Sequence, residues 1–197
     1  MTYYDLGQYT RTITTSSSSE AQIWFDRGLN WSYAFNHGEA ITCFKKALES
    51  DPKCAMAYWG IAYAAGPNYN QPWHLLHAGM KAAALAAAYD ATQAALALVG
   101  SVQPVEAALI RALPARYPQR DPIEDQSAWD RDFTAAMRTV FQAHADDLDV
   151  RAVFADAILN ETPWKMWDLS TGESAQNAGT VEAMDVLETA LQNHPAS

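Results

Sequence analysis

Proton chemistry is the first question this chain raises. Asp26 stands between Phe25 and Leu29 on a predicted helix. A carboxylate against apolar walls is pushed toward its neutral form and can exchange a proton near neutrality. The competing reading is a structural ion pair with Arg27 or with a neighbouring helix. His74 and His77 are close enough in sequence to share a helix face, and His37 falls in an Asn36-His37-Gly38 turn where capping competes with base work. With His144 and His194 these are all the histidines. Asp26, His37 and His77 are therefore the candidate acid–base residues. A metal site needs more ligands than a histidine pair, and no H-E-x-x-H or cysteine cluster supplies them. No G-x-S-x-G elbow, P-loop, dinucleotide fingerprint or S-x-x-K is present, so neither a cofactor nor a metal is expected. Arg116, Tyr117 and Arg120 suit an anionic ligand group, or are simply a solvated linker.

The elements that must position these residues are helical. In AQIWFDRGLNWSYAFNHGEAITCFKKALESDP (residues 21–52), Gly28, Ala40 and Ala47 are small where two helices must approach closely. Trp24, Trp31 and Phe44 are large where the gaps need filling, and Pro52 ends the second helix. This is the tetratricopeptide pattern, a repeat of about 34 residues. Ser17 to Glu20 has S-x-x-E capping spacing, so a helix should begin near Ser18 and run to about Phe35, followed by 39–50. A second repeat opens at Ala55, then breaks at Gly66-Pro67-Asn68-Tyr69-Asn70-Gln71-Pro72-Trp73, where two prolines and a glycine forbid regular helix. The alanine-rich run 77–98 and the stretch from Pro104 to Leu113 are helices. Asp121-Pro122-Ile123-Glu124 reads as a helix start reaching Ala145. Helices 148–160 and 181–193 follow, flanking a second insertion from Trp164 to Gly179. The expected organisation is an extended arm over 1–16 and one all-α domain over 17–197, a right-handed superhelix with two loop insertions.

In such an array the first helix of each pair lines the concave face. Here that face offers Gln22, Phe25, Leu29, Ser32 and Tyr33, then Met56, Trp59, Tyr63, Gly66 and Pro67, then Ala152, Ala155 and Leu159. None is cationic, so a clamp for a peptide carboxylate is not expected. An apolar or aromatic ligand is favoured, unless the rings only fill the core. The insertions add Asn68, Tyr69, Trp73, Trp164 and Trp167 near helix ends, where amides and rings could close a groove into a pocket.

Composition narrows the partners. The 23 acidic and 13 basic residues leave a formal charge of −10, and the basic ones are scattered. That field repels phosphate backbones and anionic lipids, which argues against nucleic acid and membrane surfaces. No uninterrupted run of about 18 apolar residues occurs, and the N-terminal stretch lacks the basic and hydrophobic regions of a secretory leader. Two cysteines make no disulfide framework. A cytoplasmic protein is expected, with an edge near Pro195 covered by a second copy or by the arm, hence a homo-oligomer.

The run FDRGLNWSYAFNHGEAITCFKKALESDPKCAMAYWGIAYAAGPNYN resembles the N-terminal part of long bacterial and fungal tetratricopeptide-repeat proteins. ALPARYPQRDPIED and the TPW stretch are similar as well. The resemblance covers nearly the whole chain and implies the fold, with an accessory role in small-molecule biosynthesis by analogy. The sequence thus supports two readings. One is a binder of an apolar or aromatic small molecule in a concave aromatic pocket, with acid–base chemistry of the cyclase, isomerase or hydratase kind. The other is a protein–protein scaffold that takes a partner peptide in the groove.

Overall fold

A computed structural model describes residues 3–15 and 18–193. Ser17, His194 and Pro195, each used above, lie outside the described residues. Within them the chain is all-α: α1 (Ser19–Tyr33), α2 (His37–Ser50), α3 (Ala55–Ala65), α4 (Ala78–Leu98), α5 (Pro104–Arg116), α6 (Ser127–Ala143), α7 (Leu148–Glu161) and α8 (Thr180–Asn193). Short 3-10 turns occur at Trp73–Leu75 and Val99–Ser101. Extended pairing among the described residues is limited to the isolated bridges Asn68–Gln71 and Trp167–Ser174.

The chain forms two compact units. The first takes the chain up to Gly66 together with Ala84–Leu113; the second takes Pro67–Ala83 and the chain from Pro114 onward.

In the first unit, α1 begins where the Ser18 hydroxyl accepts from the Ala21 N–H at 3.1 Å, a side-chain cap for an otherwise orphaned donor. It buries Ala21, Phe25, Gly28, Leu29 and Ser32, the three- and four-residue spacing of one helix face. Phe35 takes a left-handed φ of 59°, so α1 stops at Tyr33, short of the expected Phe35. Asn36 then caps α2 through its side chain, which makes His37 the first helical residue. Three helices close around one ring. A Cβ on Gly28 would stand 2.5 Å from Phe44 Cε1, and one on Gly60 would stand 2.5 Å from Phe44 Cζ. Phe25 meets the same ring at 5.5 Å between centroids. Both cysteines, Cys43 and Cys54, are free and buried, and burial raises both thiol pKa values.

The described part of the N-terminal segment, 3–15, is extended and tied to this unit. Gln22 accepts from the Ile13 N–H and donates to the Arg11 carbonyl; Asp26 accepts from the Arg11 N–H; Asn30 donates to the Tyr9 carbonyl. The buried Glu106 of α5 accepts from both the N–H and the hydroxyl of Thr14, at 2.7 and 2.6 Å.

In the second unit, α6 starts at Ser127 rather than Asp121. Gln126 is the N-cap, with no side-chain capping bond, and Asp125 just before it accepts from both the N–H and the hydroxyl of Ser127. Trp129, Phe133, Met137 and Val140 form the buried stripe of α6. Phe141 stacks on Phe154 of α7 at 5.1 Å, and the Thr134 hydroxyl donates across to the Ala157 carbonyl at 3.1 Å. Arg138 and Glu182 form a two-pronged pair between α6 and α8. The outer face of α8 leaves Val181, Met184, Leu187 and Leu191 exposed.

The stretch Ala78–Ser101 is long and apolar enough to cross a membrane by length and composition. Lys81 and Asp90 are its charged residues, and Thr92 and Gln93 also interrupt the apolar run sought in the sequence.

The contact at Phe44 gives a direct check. Gly28→Ala forces the added methyl into the ring and should lower stability by about 1–3 kcal/mol in urea denaturation. Phe44→Leu in the same chain should recover part of that loss, since it removes the atoms that clash. Strict additivity of the two substitutions would show that the glycine does not serve this approach.

Candidate functional site

The residues singled out for chemistry separate between the two units. In the first, Phe25, Leu29 and Trp59 are almost completely buried, at 0%, 1% and 2% exposure. Phe25 packs on Phe44, and Trp59 lies flat on Tyr63 at 5.3 Å. These rings belong to the packed interior and present almost no surface to a ligand. Tyr33 is half-buried and meets Tyr9 of the N-terminal segment. Asp26 is fully engaged. It accepts from the Thr10 hydroxyl at 2.7 Å, the Arg11 N–H at 3.0 Å and the Gln22 amide at 3.0 Å. Arg27, its anticipated ion-pair partner, instead lies over the rings of Tyr3 and Trp24. The Asp26 carboxylate therefore fastens the extended segment to α1. His37 is half-buried at the start of α2, edge-on to Phe35.

In the second unit, Asn68 closes a tight turn by accepting from the Asn70 and Gln71 N–H groups, with Tyr69 half-buried inside it. His77 is exposed just before α4. Trp164 and Trp167 are exposed at 56% and 43%. Arg116 and Tyr117 are buried to 1% and 0% and are not a solvated linker. The Arg116 guanidinium donates to the Pro67 carbonyl at 2.7 Å and lies 4.8 Å from the centre of the Phe133 ring. Burial pushes the Tyr117 hydroxyl up to about 12.

Two of the anticipated aromatics do meet. Trp73 and Trp164 share the wall of a cavity of about 490 Å³, which His74 also lines. The rest of the wall comes from the first insertion, Lys81 of α4, the segment leading into α6, the first turn of α6, the end of α7 and the start of the second insertion. It contains Asp130 and Asn160, which the sequence reading did not single out.

Three residues of this wall carry a buried polar atom without a hydrogen-bond partner: Trp73 at Nε1, Asp130 at Oδ1 and Asn160 at Nδ2. Trp73 and Asn160 are only 4% and 6% exposed. Their placement is fixed by their neighbours. The Trp73 ring sits edge-on to Trp129 at 6.5 Å. The Asp130 carbonyl receives the Thr134 hydroxyl that also reaches Ala157, next to the last turn of α7 that carries Asn160. Burial raises the Asp130 carboxyl to about 6, against the opposing pull of the Arg116 charge and with help from Glu161. A carboxyl poised there changes protonation near physiological pH. Nearby Asp125, engaged by Ser127, is held below its ordinary value. Among the described residues no cluster of three or more metal-ligating side chains occurs.

A signal for the missed residues was present. Asp130 precedes Phe133 and Met137 at helical spacing, and Asn160 follows Val153 and Ala157 at the same spacing. Each is a polar residue on the apolar stripe of its helix. Comparison with protein-family models, curated proteins and solved structures found no match to this chain.

The raised Asp130 value has a stability consequence with a definite sign. An unfolded chain ionises this carboxyl near 4, the folded one near 6. Between those values the folded state holds more protons, so folding stability falls as pH rises, by roughly 3 kcal/mol across the window. Asp130→Asn should remove that decline. The variant should match the wild type near pH 4 and exceed it by about 1–3 kcal/mol at pH 7 in urea denaturation. A variant less stable than wild type at pH 7 would mean that the ionised carboxylate is net favourable.

Proposed function

We propose that the second unit binds a small molecule in the cavity lined by Trp73, Asp130, Asn160 and Trp164, and that Asp130 exchanges a proton with it. One observation carries the reading: three residues from separate segments, each with a buried polar atom that has no hydrogen-bond partner, line one cavity. Buried polar groups are almost always paired, and an unpaired group in a native structure calls for an explanation such as a ligand. The volume of about 490 Å³ falls within the roughly 300–1,000 Å³ of small-molecule pockets. The acid–base role anticipated for Asp26, His37 or His77 passes to Asp130 in this proposal. Its carboxyl is raised to about 6 by burial, and the residue lines the cavity. Cyclisation, isomerisation and hydration remain the reaction types that such a group serves without a cofactor. The charged side chains on the wall, among them Lys81, Asp130, Glu161 and Lys165, favour a ligand with a polar part over a wholly apolar one.

We also read α1–α3, with Gly28 and Gly60 on the Phe44 ring and Pro52 just past α2, as tetratricopeptide-type packing; these contacts support it. The net charge of −10 supports a reading without nucleic acid.

The scaffold alternative is favoured by a different observation. Gln22, Asp26 and Asn30, one turn apart on α1, hold the backbone of Tyr9, Arg11 and Ile13. That is how a helix face would read an extended peptide. The sequence's own segment fills it, so a partner would have to displace that segment. A labelled peptide of residues 3–15 should then bind the full chain saturably by fluorescence anisotropy, and no binding would remove this alternative.

For the leading proposal the test is a mixed library of amides, alcohols, amines and acids, screened by ligand-observed NMR. Saturable hits should appear, and Trp73→Phe and Asn160→Ala should each weaken them at least tenfold. Hits that bind both folded variants as well as wild type would place the site elsewhere.

A further inference from the structure

In the first unit, three groups of α1 and α2 meet at one atom, the Tyr3 hydroxyl oxygen. It donates to Glu39 Oε1 at 2.9 Å, accepts from Trp31 Nε1 at 2.8 Å and stands 3.0 Å from Cys43 Sγ. A phenol oxygen carries one proton and two lone pairs. With the proton on the bond to Glu39, the Trp31 N–H and the Cys43 S–H take the lone pairs, and every hydrogen-bonding position is filled. The ring is read as well. The Arg27 guanidinium lies 4.2 Å over it, and Trp24 meets it edge-on at 5.3 Å. We infer that α1 and α2 form a socket for an unmodified tyrosine, with Tyr3 as its built-in occupant. A partner protein would enter it with a tyrosine at the head of an extended segment; this rests on reading the α1 face as a peptide-binding surface.

Other side chains leave groups unmatched. Phenylalanine fills the ring space and offers nothing to Trp31, Glu39 or Cys43. Tryptophan donates only, so it answers Glu39 and opposes the Trp31 N–H. Phosphotyrosine accepts only, and it sets roughly −2 of charge against Glu39. Arg27 and Lys46 are stacked over ring centres, those of Tyr3 and Trp24. Burial, then the Cys43 contact, holds the Tyr3 phenol above its ordinary pKa, so it remains the donor to Glu39 at neutral pH.

The residues behind the tyrosine are specified too. Asp5 accepts from the Gly7 N–H at 3.1 Å, and Gly7 has a φ of 83°, a turn that favours glycine. Beyond it Gln22, Asp26 and Asn30 hold the backbone, and Thr14 gives its N–H and its hydroxyl to the two oxygens of Glu106. The matching partner segment has a tyrosine, a glycine four residues on and a threonine seven beyond that, the spacing of Tyr3, Gly7 and Thr14. In the chain itself the built-in segment competes at an effective concentration on the order of mM. Weakening Tyr3 should therefore uncover the site.

The experiment uses a peptide of residues 3–15, labelled at its C-terminus, and follows fluorescence anisotropy on two full-length chains, wild type and Tyr3→Ala. The peptide should bind the Tyr3→Ala chain saturably and at least tenfold tighter than the wild type. Peptides carrying Tyr3→Phe or phosphotyrosine at position 3 should bind that chain at least tenfold more weakly. If circular dichroism shows that Tyr3→Ala has lost helix, the Tyr3→Phe chain, which lacks only the hydroxyl, takes its place. A second readout is thiol reactivity in a Cys54→Ser background. Cys43 should react faster in the Tyr3→Ala chain, and the unmodified peptide should restore its protection. Equal binding of the parent and Tyr3→Phe peptides would overturn the tyrosine socket while leaving the α1 face as a peptide site. Equal binding of the phosphotyrosine peptide would overturn the selection against modification. Dimerisation of the wild-type chain in light scattering, lost in Tyr3→Ala, would overturn the assignment to a separate partner and give the socket to a second copy. If no peptide binds either chain, the inference and the peptide reading both fall.

Discussion

Removing a carboxylate from water without giving it a partner is among the most unfavourable arrangements a fold can hold. Asp130 approaches that arrangement. Its Oδ1 is buried and unpaired, and its proton affinity is raised because burial outweighs the attraction of Arg116. The surroundings maintain this. Trp129 and Phe133 place Asp130 on the apolar face of α6, and Thr134 locks that turn to α7. Arg116 is turned to the Pro67 carbonyl and the Phe133 ring. Trp73 and Asn160, each with a buried polar atom that finds no hydrogen-bond partner, line the same cavity.

In the first unit, several polar side chains are engaged by the N-terminal segment. Asp26 has three donors around it, Glu106 has both donors of Thr14 and the N–H of Gln103, and Gln22 reads an N–H and a carbonyl at once. These bonds convert an extended segment into part of the unit's surface. Its aromatic residues make interior contacts: Phe44 fills the space that Gly28 and Gly60 leave open, and Trp59 stacks on Tyr63.

Helix positions were legible in the sequence because local rules govern them. Small residues opposite large ones, Pro52 after α2 and the broken stretch at Gly66–Trp73 all sit where local sterics alone decide. The error at α6 is also local: Asp121-Pro122 and Asp125-Gln126-Ser127 are competing start signals, and only the observed start at Ser127 reveals which one wins. The site was less legible. Aromatic residues at helical spacing read equally as groove or core, and Phe25, Leu29 and Trp59 proved to be interior. Trp73 and Trp164 were identified because they lie in insertions. Asp130 and Asn160 were missed because burial without a partner is a property of three-dimensional neighbours, which one-dimensional spacing only hints at.

The most direct measurement is the titration of Asp130 itself, followed through its side-chain carboxyl ¹³C shift, with Asp130→Asn assigning the signal. A midpoint near 6 that shifts when a ligand occupies the cavity is the predicted result. A midpoint near 4, unchanged by any ligand, would mean that the carboxylate is hydrated or paired in solution, and the cavity would lose the property on which its function was argued.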